Sequence, residues 1–362
     1  MKVSNKLTQN DIQLVKRELE GFIPEEVYDI HAHPYDPAHF GPDAFLWLQE
    51  AGALGCKQHV ETLQKYMPFK KMHGLYFGMP HRSANRAAIN SWINGEVKQH
   101  GSSYSRALKL VSPADSPDEL ATDLRAGLFA GVKVYHIYAS RPDTMNASLL
   151  EYAPEWMWEI LHETHGVMML HIVRNGAIAD EDNQKEIKRL CSRYPNVKLI
   201  LAHVARSFNY RNARAGLQFL QDIDNVVVDT SAIAETESFK AAIKYLGPKR
   251  ILWGSDYAVS EMRGRCVSTG DYFFWLHPEL ILPTYKPATD NEMPLVGIES
   301  LLTLKEACED SGLTKEDIQD IFFNNAIRLL GFQKEGAAAS DLQGPALWKE
   351  AKSIISGGTG LL

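Results

Sequence analysis

Two histidines alternate in a short apolar segment near the start of the chain, in the run Tyr28-Asp29-Ile30-His31-Ala32-His33. Successive side chains of a β-strand point to opposite faces, so His31 and His33 are predicted to face the same side. Two imidazoles that converge at the end of a strand are a natural beginning for a metal site. The motif is short, and on its own it is weak evidence for such a site.

Three later residues that bind metals or transfer protons each come directly after an apolar, strand-like run. Catalytic residues of α/β barrels come from the carboxyl ends of several strands, which meet at one face of the barrel. We therefore predict that these residues share one site with the two alternating histidines. They are His171, His203 and Asp256.

Short strand-like runs alternate with longer helical stretches along most of the chain. Several runs are apolar nearly throughout, as is typical of strands that are covered on both faces. Eight alternating units predict an α/β protein with a closed (β/α)8 TIM barrel. The alternative, an open doubly wound sheet, lacks the glycine-rich phosphate turn expected of it. The predicted strands are Val27–His33, Leu75–Pro80, Arg106–Val111, Gly131–Tyr138, Val167–Val173, Val197–His203, Asn225–Ser231 and Arg250–Asp256.

The excess length divides the chain into three predicted parts. Residues 1–26 form an N-terminal helix and lead-in, residues 27–332 the barrel, and residues 333–362 a tail whose role the sequence does not indicate. Two insertions, residues 34–72 after the first strand and residues 257–297 after the eighth, are expected to lie over the active-site face. Two extra helices are predicted after the barrel, Ile298–Ser311 and Thr314–Leu330.

Composition excludes several classes of protein. The chain has 362 residues, 45% of them hydrophobic, and a net charge of −7. It is too hydrophobic to be disordered, and too acidic for a general binder of nucleic acid or of anionic membranes. Residues 1–20 are polar, so no signal peptide is expected, and no apolar run approaches the roughly 18 residues of a membrane helix. The four scattered cysteines indicate reduced thiols. We predict a cytoplasmic protein and leave homo-oligomer formation open.

The motifs together resemble the amidohydrolase superfamily. The resemblance is closest to the amidohydrolase-related (amidohydrolase 2) branch, which includes the aminocarboxymuconate-semialdehyde decarboxylase-like enzymes. It implies a (β/α)8 barrel that holds one divalent metal ion at its carboxyl-terminal mouth. The matching motifs, in chain order, are Asp29–His33, His171, Ala202-His203, Trp253–Tyr257 and Phe323–Leu330.

Carried onto this sequence, the resemblance implies a role for each strand-end residue. The implied metal ligands are His31, His33, His171 and Asp256. His203 would polarise the substrate or assist the attacking water, and Asp256 would also accept a proton. Imidazole and carboxylate ligands favour Zn²⁺, and less sharply Mn²⁺ or Fe²⁺.

Lys133 on the predicted fourth strand leaves the number of metal ions open. In other branches of the superfamily, a carboxylated lysine on this strand bridges two metals. Lys133 could take that part, could pair with a carboxylate inside the barrel, or could contact the substrate. One metal ion is the preferred prediction.

Two arginines lie at equal offsets from the strand-end histidines, Arg174 after His171 and Arg206 after His203. Both are expected in loops above the metal, and arginine recognises carboxylates through paired, planar donors. We therefore predict a small anionic substrate with a carboxylate. The alternative is that each arginine ties down its own loop.

Two reactions fit these residues, and the resemblance covers both. The first is hydrolysis of a C–O or C–N bond by metal-activated water. The second is nonoxidative decarboxylation, in which a proton replaces the departing CO₂. A third hypothesis, a catalytically silent barrel that acts as a binding protein, is disfavoured because all five site positions carry chemically competent residues. The fold alone cannot decide between them.

Overall fold

A series of short parallel strands, each paired with the next, forms the centre of the protein. The structure is a computed structural model and describes residues 6–280 and 292–332. The parallel strands are β1 (Glu26–Ala32), β2 (Lys71–Tyr76), β3 (Arg106–Ala107), β4 (Lys109–Leu110), β5 (Gly131–Val134), β6 (Val167–Leu170), β7 (Lys198–Leu201), β8 (Val226–Asp229) and β9 (Ile251–Leu252).

These strands correspond in position to the eight that the sequence predicts, but several end earlier: β5 ends at Val134 and not at Tyr138, and β9 ends at Leu252 and not at Asp256. β3 and β4 are two parts of one strand that is interrupted at Leu108, since β3 pairs with β2 and β4 pairs with β5. The N–H of Ile30 donates to the carbonyl of Trp253 (3.0 Å), and Ala32 forms a parallel bridge with Tyr257. These contacts join the first strand to the last, as a (β/α)8 barrel requires.

The prediction was wrong for the bounds of the second strand, which is β2 and not Leu75–Pro80. The first half of β2 contains polar His73 and Gly74, which has no side chain, so this part of the strand does not show the apolar pattern that predicts strands. Gly74 is required there because a Cβ atom would lie 2.4 Å from the ring of Tyr76. The first insertion consequently ends shortly before β2.

Helices surround the strands and connect most of them, as the βα rhythm predicts. Thr8 and Thr314 begin two of the terminal helices with capping boxes completed by Asp11 and Asp317. The helices and helical turns of five or more residues are Gln9–Leu14, Val15–Leu19, Leu46–Ala51, Cys56–Leu63, Arg86–His100, Pro117–Arg125, Glu155–Thr164, Glu181–Arg193, Ala202–Arg206, Tyr210–Gly216, Thr236–Leu246, Val296–Asp310, Lys315–Gln319, Asp320–Asn324 and Asn325–Leu329.

The hydrophobic core consists of two clusters, one inside the barrel and one between the strands and the surrounding helices. Along β6, Val167 and Met169 belong to the inner cluster, while Met168 and Leu170 belong to the outer one under the helices. Phe323 and Ile327, near the end of the described chain, pack into the inner cluster. The closing helical segment therefore plugs one end of the barrel and leaves the other end for chemistry.

The second insertion contains an antiparallel hairpin, β10 (Arg265–Thr269) and β11 (Tyr272–Leu276), which the sequence analysis did not predict. No helix in the described part of the chain has the length and apolar character needed to cross a bilayer. The four cysteines are buried and free. The predicted tail, residues 333–362, lies outside the described residues.

A buried acid joins the two insertions. Glu261 is 2% exposed and accepts hydrogen bonds from the hydroxyls of Tyr66 (3.2 Å) and Ser260 (3.3 Å). Burial raises the pKa of Glu261 to about 7. Because this value exceeds that of an unfolded glutamate, ionising Glu261 opposes folding, and stability is lost as the pH rises from about 4.5 towards 7.

Replacing Glu261 by glutamine should therefore stabilise the protein in a pH-dependent way. The expected gain at pH 8 is on the order of 3 kcal/mol, which is a few degrees in the melting temperature, with little gain at pH 5. Thermal denaturation of wild type and Glu261→Gln at both pH values measures it. The exposed Glu50→Gln is the control, and an equal gain at both pH values would contradict the role assigned to Glu261.

Candidate metal and catalytic site

A cavity of about 640 Å³ opens at the carboxyl ends of the parallel strands. The strand ends contribute its polar groups, and the two insertions contribute aromatic walls. Trp47 comes from the first insertion, and Phe273 and Trp275 come from the hairpin of the second. Described residues of both insertions thus line the cavity at this face, as predicted. The polar lining includes His31, His33, Lys133, His171, His203, Arg206 and Asp256.

Three of the predicted metal ligands converge on one point of this cavity. The Nε2 atoms of His31 and His33 are 3.1 Å apart, and each lies 3.6 Å from Oδ1 of Asp256. Ligand atoms that are 2.0–2.2 Å from a tetrahedral zinc ion lie roughly 3.3–3.6 Å from one another. The donor set and its spacing therefore fit a divalent cation.

A bulge in β1 aims both histidines at the site. The register of β1 against β2 shifts between Asp29 and Ala32. Ile30 belongs to the inner cluster. His31, the next residue, also faces inward, and its ring centroid lies 5.1 Å from that of Phe77. Bulges commonly re-aim a side chain next to an active site. Sequence alternation correctly placed His31 and His33 together but gave no sign of the bulge.

The second ring nitrogen of each histidine is held by the protein. Nδ1 of His31 donates to Oδ2 of Asp229 (2.8 Å), and Nδ1 of His33 donates to the carbonyl of Gly78 (3.2 Å). Each Nε2 atom is then left with a lone pair that faces the cavity. Burial also lowers the pKa of His31 and of His33 well below the usual range. Both rings are neutral at pH 7, the form that binds metals.

Asp256 completes the group from the last strand. Its backbone N–H donates to the carbonyl of His31 (2.9 Å), and its φ of 58° lies in the left-handed region. A left-handed residue that is not glycine carries backbone strain, which is common at functional sites. Burial raises the pKa of Asp256, and the nearby Lys133 opposes this rise.

His203 and Arg206 lie on a left-handed turn that follows β7. All four residues from His203 to Arg206 have φ between 49° and 58°. This conformation costs about 1–2 kcal/mol for each residue that is not glycine. Hydrogen bonds hold the turn: the N–H of His203 donates to Asp229 (2.8 Å), and the N–H of Ser207 donates to the carbonyl of His203 (2.8 Å). The turn directs both side chains into the cavity.

His171 lies beside His203 and not in the group of converging ligands. Its ring centroid is 5.0 Å from that of His203 and 4.9 Å from that of Tyr135. Its Nδ1 atom is buried and has no hydrogen-bond partner within the described residues. The close groups of potential ligands found in residues 6–280 and 292–332 are His31–His33–Asp256 and His31–His203–Asp229.

Lys133 projects from β5 into the same group. Its Nζ atom is 3.5 Å from Nε2 of His31, and the side chain is fully buried. Burial lowers the pKa of Lys133 to about 8, while Asp229 and Asp256 act in the opposite direction. The amine therefore lies beside the converging ligands and lines the cavity, and its role stays open among the three predicted ones.

The two predicted arginines have different surroundings. Arg206 is 7% exposed and lines the cavity, and its guanidinium donates to the carbonyl of Arg174 (3.0 Å). The guanidinium of Arg174 instead forms ion pairs with Asp180 (3.0 Å) and Asp182 (2.8 Å). No carboxylate of the described residues forms an ion pair with Arg206. A buried guanidinium that no carboxylate neutralises favours an anionic ligand.

Sequence reasoning missed several residues that orient the site. Asp229 ends β8 and accepts from His31 and His203, while Ser231 bonds to the Nδ1 atoms of both rings (3.1 and 2.9 Å). Asp229 follows an apolar strand just as Asp256 does, so the rule that found Asp256 applies to it as well. His59, for which the sequence offered no signal, contacts Asp29 behind the site.

The chain belongs to the amidohydrolase family, whose profile matches residues 16–332. It is similar in structure to a zinc-bound amidohydrolase from Burkholderia multivorans (12% identity, TM-score 0.54, covering 85% of this chain and 99% of that one). It is also similar to 2,6-dihydroxybenzoate decarboxylase from Rhizobium (15%, 0.50, 85% and 98%). A third similar structure is 4-oxalomesaconate hydratase from Rhodopseudomonas palustris (14%, 0.54, 84% and 95%). No curated protein matches the chain.

The family therefore confirms the resemblance seen in the motifs, and the neighbours confirm the barrel architecture. At these identities the structural likeness shows the fold alone. Members of one fold family carry out different reactions, so the reaction has to be argued from the site.

Replacing Asp229 by asparagine should weaken metal binding without removing a ligand. Asparagine has the same size, but it lacks the charge that holds the Nδ1–H of His31. The expected loss is about 10–100-fold in Zn²⁺ affinity, measured by competition with a chromophoric chelator. The exposed Asp222→Asn is the matched control. Unchanged affinity in Asp229→Asn would show that the carboxylate does not orient His31.

Proposed function

We propose that the protein is a metal-dependent hydrolase that cleaves a C–O or C–N bond of a small carboxylate-bearing substrate. The observation that carries this proposal is the convergence of His31, His33 and Asp256 at the floor of the cavity, with ligand atoms 3.1–3.6 Å apart. A divalent ion held there supplies a Lewis acid and water of lowered pKa, and Zn²⁺ suits this donor set best.

The protein groups around this point have complementary tasks. Asp256 is placed to accept the proton of the attacking water. His203, whose Nδ1 contacts the carbonyl of Ser231 (3.0 Å), presents its other nitrogen to the cavity to polarise the reacting carbonyl. His171 lines the cavity beside His203, and we retain it as the fourth proposed ligand.

The substrate class follows from Arg206 and from the walls. The buried guanidinium of Arg206 lies over the ring of Phe273 at 5.5 Å, within an otherwise aromatic part of the cavity. Because the guanidinium is shielded from solvent, a hydrogen-bonded ion pair with a substrate carboxylate would be stronger here than at the surface. Arg174 is the second proposed carboxylate contact, although Asp180 and Asp182 already bind its guanidinium.

Nonoxidative decarboxylation is the second candidate, because a decarboxylase is among the structurally similar proteins and would use the same groups.

We further propose a cytoplasmic location, supported by four free and buried cysteines.

Both candidate reactions need a bound metal ion, so removing the metal should abolish the activity. Dialysis against a strong chelator is expected to abolish turnover of a panel of lactones, amides and aromatic acids, and Zn²⁺, Mn²⁺ or Fe²⁺ should restore it. Acid release without CO₂ supports hydrolysis, whereas CO₂ evolution supports the decarboxylase. Full activity in metal-free protein would reject both, and the absence of metal uptake would favour a silent barrel.

Replacing Arg206 by lysine should raise KM for an acidic substrate and leave KM for its neutral amide nearly unchanged. Lysine keeps the charge but loses the paired donors, so an increase of about tenfold or more is expected. The exposed Arg211→Lys is the control, and Arg174→Gln is expected to give a smaller effect. Equal changes for the acid and the amide would contradict carboxylate recognition.

A further inference from the structure

A histidine of the first insertion reaches the back of the candidate metal site. His59 lies on helix Cys56–Leu63 and is fully buried. Its Nε2 atom is 2.8 Å from Oδ2 of Asp29, and its Nδ1 atom is 3.1 Å from the hydroxyl of Tyr76. The carboxylate oxygen is the acceptor of this pair, so the Nε2–H of His59 donates a hydrogen bond to Asp29.

Asp29 in turn holds both segments that carry the converging ligands. Its Oδ1 atom accepts from the N–H of His31 (3.0 Å) and from the N–H of Ser255 (2.9 Å). Its Oδ2 atom accepts from the hydroxyl of Ser255 as well as from His59. One carboxylate thus fixes the backbone of a metal ligand on β1 and of the residue that precedes Asp256.

The imidazole of His59 has little freedom to move. Its ring makes edge-on contacts with the rings of Tyr76 and Tyr257, at centroid distances of 5.2 and 5.0 Å. Tyr257 directly follows Asp256, so the insertion helix touches the ligand-bearing segment through a ring contact as well as through Asp29.

Loss of the His59 donor would leave Asp29 under-satisfied in a dry interior. Asp29 is fully buried, and the ring of His59 donates a hydrogen bond to its Oδ2 atom. A buried carboxylate that loses a hydrogen-bond donor is strongly disfavoured, and it relaxes by moving or by admitting water. Either response displaces His31 and Asp256 relative to each other. Metal sites tolerate only about 0.5 Å of such displacement.

We propose that His59 is a positioning residue for the metal site, acting through Asp29 to set the separation of His31 and Asp256. The first insertion then has a second task besides forming a wall of the cavity, since its helix braces the ligands from behind. The inference rests on the proposed metal-dependent function.

Two substitutions of His59 separate positioning from general stability. Glutamine places its amide nitrogen near the position of Nε2 and keeps a donor to Asp29, whereas asparagine reaches only the position of Nδ1 near Tyr76. We expect His59→Asn to bind Zn²⁺ about 10–100-fold more weakly than wild type and His59→Gln to stay within about threefold. Chelator competition measures Zn²⁺ affinity, and the visible absorption of Co²⁺-loaded protein reports the ligand geometry.

The thermal midpoints of the metal-free proteins provide the control: both variants must remain folded at the temperature of the metal titration, so that a lower Zn²⁺ affinity does not reflect unfolding. Equal Zn²⁺ affinities and unchanged Co²⁺ spectra in both variants would overturn the proposal. If His59→Asn does not fold, Asp29→Asn replaces it and the same loss of affinity is expected. If wild type itself takes up no divalent metal, both the proposed function and this inference are rejected. If every variant binds metal as tightly as wild type, only this inference is rejected.

Discussion

One buried carboxylate, that of Asp229, organises the chemistry of the barrel mouth. It accepts from the Nδ1–H of His31 on β1, from the N–H of His203 after β7 and from the N–H of Ser231 after β8. These bonds fix the tautomer of His31 and hold the left-handed turn that carries His203. A group with this many donors is stable in a dry interior, and its partners lose the freedom to turn away. The orientation of the site therefore depends on a residue that does not face the substrate.

The distribution of charge at the mouth differs from that of the whole chain. The protein has a net charge of −7, yet Lys133 and Arg206 are buried cations at the cavity. Asp229 and Asp256 balance Lys133, whereas Arg206 donates to the carbonyl of Arg174 and lies over the ring of Phe273. The guanidinium of Arg206, where the proposed substrate anion would bind, is thus distinct from the carboxylate-bearing group where the proposed metal ion would bind.

The parts of the site that obey strand periodicity could be predicted from the sequence. His31, His33 and Asp256 each end an apolar run, and the parallel strands bring such ends to one face. The bulge in β1 and the left-handed turn at His203–Arg206 could not be predicted, because non-glycine residues adopt these conformations only when tertiary contacts impose them. Asp29 and His59 were missed for a similar reason: their contact joins a strand to an insertion helix, and no spacing in the sequence records it.

The position of the site across the junction of β1 and β9 has a consequence for folding. Asp29 and Ser255 are 226 residues apart in the chain and meet only when the last strand joins the first. Closing so long a loop is a late and entropically costly event. A metal ion that needs ligands from both ends has no complete site in a partly synthesised chain. Its binding would draw the equilibrium towards the closed barrel by mass action, so that metal uptake would stabilise the completed fold.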